Sequence, residues 1–517
     1  MLINSSLNTL NLTSLKEPVI NLNSQIQHHG VLLVLQEPDL KIVQASRNAA
    51  SILDVALENL LETNLEELLD PYQIGRIKSR LSEDSLDFIN PTKIWIKKRR
   101  EDYVVFDAVF HRNSEGILIL ELEPAISEDN IPFLSFYHLA KASISQLQSS
   151  ANLKDYCQII VETVRKVTGF DRVMLYKFNE NDHGCVLAED KLESMEPYLG
   201  LNFPESDIPK PARKMFLSNL IRLIPDTNGE PVDIFPVLNP VTERPIDLIN
   251  STLRSPYPCH IEYLHNMKVG ASLTISLIKE GRLWGLIACH HQTPKFVSYE
   301  LRKACEFLGK MIFSEIYTRE ETQDYDYRMK LTSIQSSLID YMSGEDNFIA
   351  GLIKHQPNLL DLTSAQGAAV CFGGNYTLIG ETPKEEDLNY LVDWLQNNVS
   401  EEVFYTNSLP EIYPDAEKLK NIASGLLAIP IGKRNYVLWF RPEVIQTVNW
   451  GGNPNKAFEI NDEVGNLHLC PRKSFELWKQ TVRLTSLPWL SVEINAALEL
   501  RKAIVNIELR QAEELAL

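Results

Sequence analysis

A cysteine and a histidine stand side by side in SPYPCHIEYLHNM, residues 255–267, where a proline-stiffened loop gives way to helical spacing. Pro256 and Pro258 restrict the loop and put Cys259 in the first turn of the expected helix. There the partial positive charge of a helix N-terminus favours a thiolate, the nucleophilic form. His260 is placed to act as base or proton donor. At helical spacing Tyr263 shares a face with both residues, whereas Glu262 aligns with Cys259 alone. A thiol simply packed among prolines is the plain alternative, and the dipeptide does not separate the two.

A second cluster, Cys289-His290-His291, raises the question of zinc. Adjacent residues of a strand face opposite sides, so Cys289 and His290 do not share a site, and Cys259 and His260 diverge by about 100° on a helix. Without a CxxC pair, four converging ligands are not expected. A cysteine hydrolase needs a Cys, a His and an orienting carboxylate or amide in one place, and no surround of that type is visible. The stretch between the two clusters offers something else. Ser272, Thr274 and Ser276 alternate with Leu273, Ile275 and Leu277, so one face of this strand is lined with hydroxyls. It is either a solvated outer face or, together with Arg222 and Arg254, the floor of a pocket for an anionic ligand, since arginine binds carboxylates bidentately.

The elements that must carry these residues read as α+β. Residues 270–291 form two strands joined at Glu280-Gly281, a two-residue hairpin signal. Residues 170–190 give another hairpin with a longer loop, and 136–169 give two helical stretches closed by Gly169. Residues 204–258 are dense in proline with little regular pattern, long enough for a functional lobe. Upstream, 30–46 are two strands around a Glu-Pro-Asp turn, 47–69 carry apolar residues at helical spacing, and 104–124 return to strands. Downstream, no proline falls between Pro294 and Pro357, and Leu301, Cys305, Leu308, Ile312 and Ile316 recur at helical spacing, which predicts one very long helix. A third α+β segment follows, with strands in 366–374 and 425–440, and the chain ends at Leu517 inside a helical pattern with no closing Gly, Asn or Pro. That ending suggests that something follows in the native protein or that the helix docks on a partner.

The whole chain bounds the function further. Its 517 residues call for roughly three domains. A formal charge of −19 argues against a nucleic-acid partner. No apolar run is long enough to span a bilayer, the N-terminus lacks the pattern of a secretory signal, and seven irregularly spaced cysteines read as reduced thiols of a soluble cytoplasmic protein.

Four stretches, FDRVMLYKFNENDHG (170–184), PYLGLNFPESDIPKPAR (197–213), LRSPYPCHIEYLHNMKVGASLTISL (253–277) and GRLWGLIACHHQTPKFVSYELR (281–302), together closely resemble the bilin-binding domain of phytochromes. NWGGNPNK (449–456) and CPRKSFELW (470–478) match the two ends of the tongue in the same family, so the resemblance covers essentially the whole chain. The nearest match is the cyanobacterial type that carries a histidine kinase behind the sensor. The resemblance implies a PAS domain with an N-terminal strap at 1–127, a GAF bilin-binding domain at 128–325 and a PHY domain at 326–517. It further implies a tongue at about 440–480, long helices joining the domains, and an N-terminal figure-of-eight knot with the GAF domain.

By the same resemblance Cys259 is the attachment cysteine, in thioether linkage to a linear tetrapyrrole, and phycocyanobilin is the expected chromophore. The family members that attach biliverdin do so near the N-terminus, whereas the first cysteine here is Cys157. Asp207 supplies a main-chain carbonyl to the pyrrole nitrogens and His260 contacts them through water, a role that suits a histidine near its ordinary pKa of about 6.5. Arg222, Arg254, Ser272 and Thr274 hold the propionates. His290 faces ring D, and Tyr176, Tyr198 and Tyr263 surround the ring system with position 203. Arg472 and Ser474 of the tongue pair alternately with Asp207. Two positions depart from the family pattern: Phe203 stands where tyrosine is usual, and His28 where proline is usual. The expected function is red/far-red photoreception, with the chain expected to form a homodimer and to signal to a response regulator through a kinase that these residues do not contain. Apart from self-catalysed bilin attachment, no enzymatic activity is expected of them. A GAF-type sensor of a small ligand such as a cyclic nucleotide, with a structural Cys259, is the alternative, and a thiol enzyme is a third.

Overall fold

The computed structural model describes the chain apart from residues 1–23, 82–85, 87–89, 99–102, 126–152, 180–181, 346, 455–457, 462–467, 472–473 and 517. It divides into two compact units, Met1–Ser314 with Trp450–Leu477, and Glu315–Asn449 with Trp478–Leu517.

The first unit holds two sheets. One is an antiparallel seven-stranded sheet in the order Gln25–Ile26, Val232–Phe235, Lys41–Ser46, Val31–Gln36, Leu118–Pro124, Tyr103–Arg112, Thr92–Lys97. Its second strand comes from the proline-dense lobe, which sequence pattern left without regular structure. That strand joins the two expected domains into one unit: Glu121 on Leu118–Pro124 accepts hydrogen bonds from the backbone of Thr252 at 3.0 Å and of Leu253 at 2.8 Å. The path of residues 1–23, on which a knot depends, lies outside the described residues. Residues 47–69 form the short helices Ala49–Leu53 and Leu57–Leu60 and a 3-10 turn at Leu65–Glu67. The single helical pattern is cut by Asp54, whose φ of 59° ends the first piece.

The second sheet carries the site. Its strands run Ile221–Ile224, Ala271–Lys279, Arg282–His291, Arg172–Phe178, Gly184–Lys191 and Asn202–Phe203, after which Trp450 pairs in parallel with Asn202. The turn between the second and third has both Glu280 (φ 49°) and Gly281 (φ 77°) in the left-handed region, as a tight hairpin requires. One face packs against the helices Leu153–Thr168 and Tyr299–Gly344. Here Leu273, Ile275, Cys289, Cys157 and Cys305 are buried, and burial holds the Cys289 and Cys305 thiols well above their ordinary range. A two-stranded ribbon, Phe458–Asn461 with His468–Pro471, lies alongside the helix Pro258–Asn266.

The second unit is a five-stranded antiparallel sheet, in the order Asn375–Gly380, Gly367–Phe372, Asn435–Arg441, Gly425–Gly432, Phe404–Thr406. Strand alternation gives it two cores. Val370, Leu427 and Trp439 face Leu338 of the long helix and Leu500 of the helix Ser491–Ala516, while Ala369, Leu426 and Phe440 face the helix Glu385–Asn398. A buried ion pair, Arg441 with Glu493 at 2.8 Å, fixes the start of Ser491–Ala516.

Candidate functional site

The face of the second sheet opposite the helices is polar and aromatic, and register shows why. Residues directly across a ladder point the same way. Arg222, Thr274, Ala288, Met174 and Glu189 form one row, and Ile224, Ser272, His290 and Arg172 form the next. Ser276, Leu286 and Tyr176 form a third. The hydroxyl stripe is therefore no solvated outer face: Ser272 and Ser276 are 4 % and 7 % exposed. Cys289 belongs to the other face, with Leu273 and Val173. Among the described residues no group of three or more His, Cys, Asp or Glu could hold a metal ion.

Arg222 and Arg254 are the strongest electrostatic feature. One guanidinium nitrogen of Arg222 donates to the Arg254 carbonyl and another to the Ser251 carbonyl at 3.5 Å, which fastens the loop before the cysteine to the sheet edge. Neither arginine makes an ion pair among the described residues. Burial, and then the neighbouring Arg254, lower the Arg222 pKa to about 9, and burial lowers that of Arg254. Arg254 Nη1, Tyr257 Oη, Ser276 Oγ and His290 Nδ1 are buried without a hydrogen-bond partner. Unpaired buried polar atoms are costly. A group carrying carboxylates and hydrogen-bonding nitrogens fits this donor set.

The helix Pro258–Asn266 starts at Pro258, so Cys259 lies in its first turn as its spacing predicts, and its thiol is exposed. The charge expectation fails, however. Partial desolvation and then Glu262 raise the Cys259 pKa, outweighing the two backbone N–H groups at the helix start that lower it. His260 also departs from expectation, because burial and then Arg222 push it down to about 4, away from the near-neutral value that its proposed proton exchange suggested. The same helix stacks His260 on Tyr263, with ring centroids 6.4 Å apart and planes at 11°. Tyr263 Oη donates to Asp207 Oδ2 at 3.0 Å, and the Tyr263 ring meets Phe475 edge-on at 5.0 Å.

Asp207 ends a 3-10 turn, Glu205–Asp207, held between Pro204 and Pro209. Arg213 supports this turn by donating to the Ile208 carbonyl at 2.8 Å while pairing with Asp182. Phe203 lies 5.9 Å from the Tyr176 ring and 6.1 Å from the Tyr198 ring, and is buried. Gly184 is dictated by the neighbouring ring: a Cβ there would fall 1.7 Å from Tyr176 Cζ.

Comparison with known proteins decides the family. Family models match in order along the chain: PAS fold at residues 15–125, GAF domain at 152–316 and Phytochrome region at 331–513. The chain is 72% identical to Cyanobacterial phytochrome A of Nostoc sp., covering 98% of this chain and 66% of that protein. It is 57% identical to Phytochrome-like protein Cph1 of Synechocystis sp., covering 95% and 66%. The Stigmatella aurantiaca phytochrome photosensory core module aligns with a TM-score of 0.81 at 42% identity, over 94% of this chain and 96% of that one. The chain belongs to the phytochrome family. It has the organisation of a cyanobacterial phytochrome photosensory module and spans 66% of the length of the two curated relatives. A bacteriophytochrome from R. palustris superposes with a TM-score of 0.83 at 37% identity.

Of the residues that the phytochrome resemblance singled out, the structure brings Arg222, Ser272, Thr274, His290 and Tyr176 onto one sheet face. It sets Tyr198 and Phe203 against Tyr176, and links Asp207, His260 and Tyr263 through one helix. Arg472 lies outside the described residues. Ser474 is exposed, and its Oγ accepts from the Glu476 backbone at 3.4 Å. The unusual His28 packs over Gly229, where a Cβ would lie 2.1 Å from its ring. Sequence reasoning missed Arg172, Tyr257 and Phe475. For Arg172 a signal existed: in RVMLY it alternates in phase with Met174 and Tyr176, which puts a charge on an inward face. No helix of the described residues is long and apolar enough to cross a membrane.

Proposed function

We propose that this module is a red/far-red photoreceptor that carries a linear tetrapyrrole, phycocyanobilin, in thioether linkage to Cys259. The observation that supports this best is the pair of buried guanidiniums, without an ion-pair partner among the described residues, beside a hydroxyl-lined sheet face. The bilin supplies light absorption and a double bond that isomerises. Everything else falls to the chain. Arg222 and Arg254, with Ser272 and Thr274, bind the two propionates. The Asp207 carbonyl and His260 face the pyrrole nitrogens, while His290, Tyr176, Tyr198, Phe203 and Tyr263 wall the rings from water. A phosphate would also suit two arginines, but a cyclic-nucleotide sensor leaves the aromatic wall without a purpose.

The domains are assigned as PAS 1–127, GAF 128–325 and PHY 326–517. In this reading Tyr263 couples the site to the tongue, because it touches both Asp207 and Phe475. A change at the ring wall alters the Asp207 pairing with Arg472 or Ser474 and refolds the tongue. The long helices then carry the bias to a histidine kinase and its response regulator within a cytoplasmic homodimer, as a bistable element must. The module itself catalyses nothing beyond its own modification.

The test is to co-express the chain with phycocyanobilin biosynthesis and denature it. A coloured covalent band whose modified peptide contains Cys259 is expected, and Cys259→Ala should be soluble but colourless after denaturation. Undiminished covalent colour in Cys259→Ala removes the proposed anchor.

A further inference from the structure

Arg172 opens the strand Arg172–Phe178 and is 2 % exposed, an extreme position for an arginine. Its Nε lies 3.1 Å from Glu189 Oε1 on the next strand, and that carboxylate is buried too. The other oxygen of Glu189 accepts from the backbone N–H of Tyr198 at 2.9 Å and of Leu199 at 3.1 Å. Arg172 Nη2 donates to the Glu196 carbonyl, and its guanidinium lies over the Tyr198 ring, 4.0 Å from the centroid. Across the ladder, Arg172 stands directly opposite His290. One buried ion pair thereby connects the segment that carries Tyr198 to the strand that carries His290.

We propose that Arg172 is a positioning residue that holds Tyr198 and His290 together as one wall of the site, an inference that rests on the bilin-binding reading of that site. The planar guanidinium fixes the geometry: its Nε faces the Glu189 carboxylate as a charge pair without hydrogen-bond alignment, Nη2 donates to the Glu196 carbonyl, and the flat face takes the Tyr198 ring, a combination that lysine does not reproduce. The charge acts on the opposite residue. Burial, then Arg172, then His260 lower the His290 pKa to about 3. Arg172, which is charged, and His260, which acts only when protonated, are the titratable neighbours that act on His290, with Ser272 across the ladder on its other side. His290 is accordingly a neutral imidazole with one donor and one acceptor nitrogen, and its Nδ1 has no hydrogen-bond partner among the described residues.

The test uses the full chain, with and without bilin. In the bilin-free chain, nitrogen-labelled histidine reports the His290 ring by NMR, assigned through its loss in His290→Gln. Arg172→Gln should move the His290 midpoint upward from about 3 toward the ordinary 6.5, whereas Arg172→Lys should leave it low. In the bilin-loaded chain both variants should retain covalent colour at Cys259 yet lose severalfold in the extent of red-light conversion, because each lacks the fork that fixes Tyr198. Covalent colour is read separately after denaturation. Absence of colour in the parent chain therefore overturns the bilin reading, distinct from failure of the Arg172 assignment. An unmoved His290 midpoint in Arg172→Gln, with parent-like conversion in both variants, overturns the assignment. Should Arg172→Gln not fold, Arg172→Lys and Glu189→Gln decide: reduced conversion in both supports the proposal, and parent-like conversion in both overturns it.

Discussion

At the scale of single residues, Cys259 shows how a local rule is overruled by its neighbours. A helix start lowers a thiol pKa, but partial desolvation and Glu262 raise this one. The thiolate fraction at neutral pH is therefore small, and attachment should speed up as pH rises. Glu262→Gln removes one of the causes, so its thiol pKa falls and its attachment at pH 7.5 should be severalfold faster than the parent's. The measurement is the rate of covalent colour formation when bilin is mixed with bilin-free protein across a pH series. An unchanged rate would show that Glu262 does not govern the thiol. The cysteine and the hydroxyl stripe were legible in the sequence because both express fixed periodicities. The states of charge were not, because they depend on burial and on Arg222 and Glu262 brought close by folding.

At the scale of elements, the hairpin Ala271–Lys279 with Arg282–His291 was legible from Glu280-Gly281, a purely local signal. The lobe at 204–258 was not. Its strands Ile221–Ile224 and Val232–Phe235 are four residues each, and they exist because distant strands offer them edges, in two different sheets. The aromatic wall depends on such close approaches. Gly184→Ala would place a Cβ inside the Tyr176 ring, so Tyr176 must leave its place. Overpacking of this kind costs roughly 1–3 kcal/mol. Gly184→Ala should retain covalent colour with a shifted absorbance maximum and a lower melting temperature, read by absorbance and thermal unfolding. Gly451→Ala tests the tongue side, since its Cβ would lie 3.0 Å from the Phe203 ring. The smaller encroachment predicts a smaller spectral shift than Gly184→Ala gives.

At the scale of the whole molecule, the first unit is tied together by buried charge. Arg302 at the start of the long helix pairs with Glu123 on the first sheet, and both are almost wholly buried. Glu123→Ala leaves the Arg302 charge buried and uncompensated, a loss of roughly 3–5 kcal/mol in chemical denaturation. His29 sits beside this pair, and burial lowers its pKa to about 4 from 6.5. The unfolded chain binds that proton more tightly, so the stability present above pH 6.5 is lost as pH falls toward 4, by roughly 3 kcal/mol for a change of this size. His29→Gln should flatten the pH dependence of unfolding in that window. The sheet shared by the first two domains was hidden from sequence for the same reason: Thr252, Leu253 and the strand Val232–Phe235 bind it only after the chain has folded back on itself. The proposed function of the whole molecule is a reversible response to light. Purified, bilin-loaded chain illuminated with red and then far-red light should show an absorbance decrease in the red with a matching rise in the far-red, reversed in full by the second illumination. Covalent colour at Cys259 with no reversible red/far-red difference spectrum would contradict it.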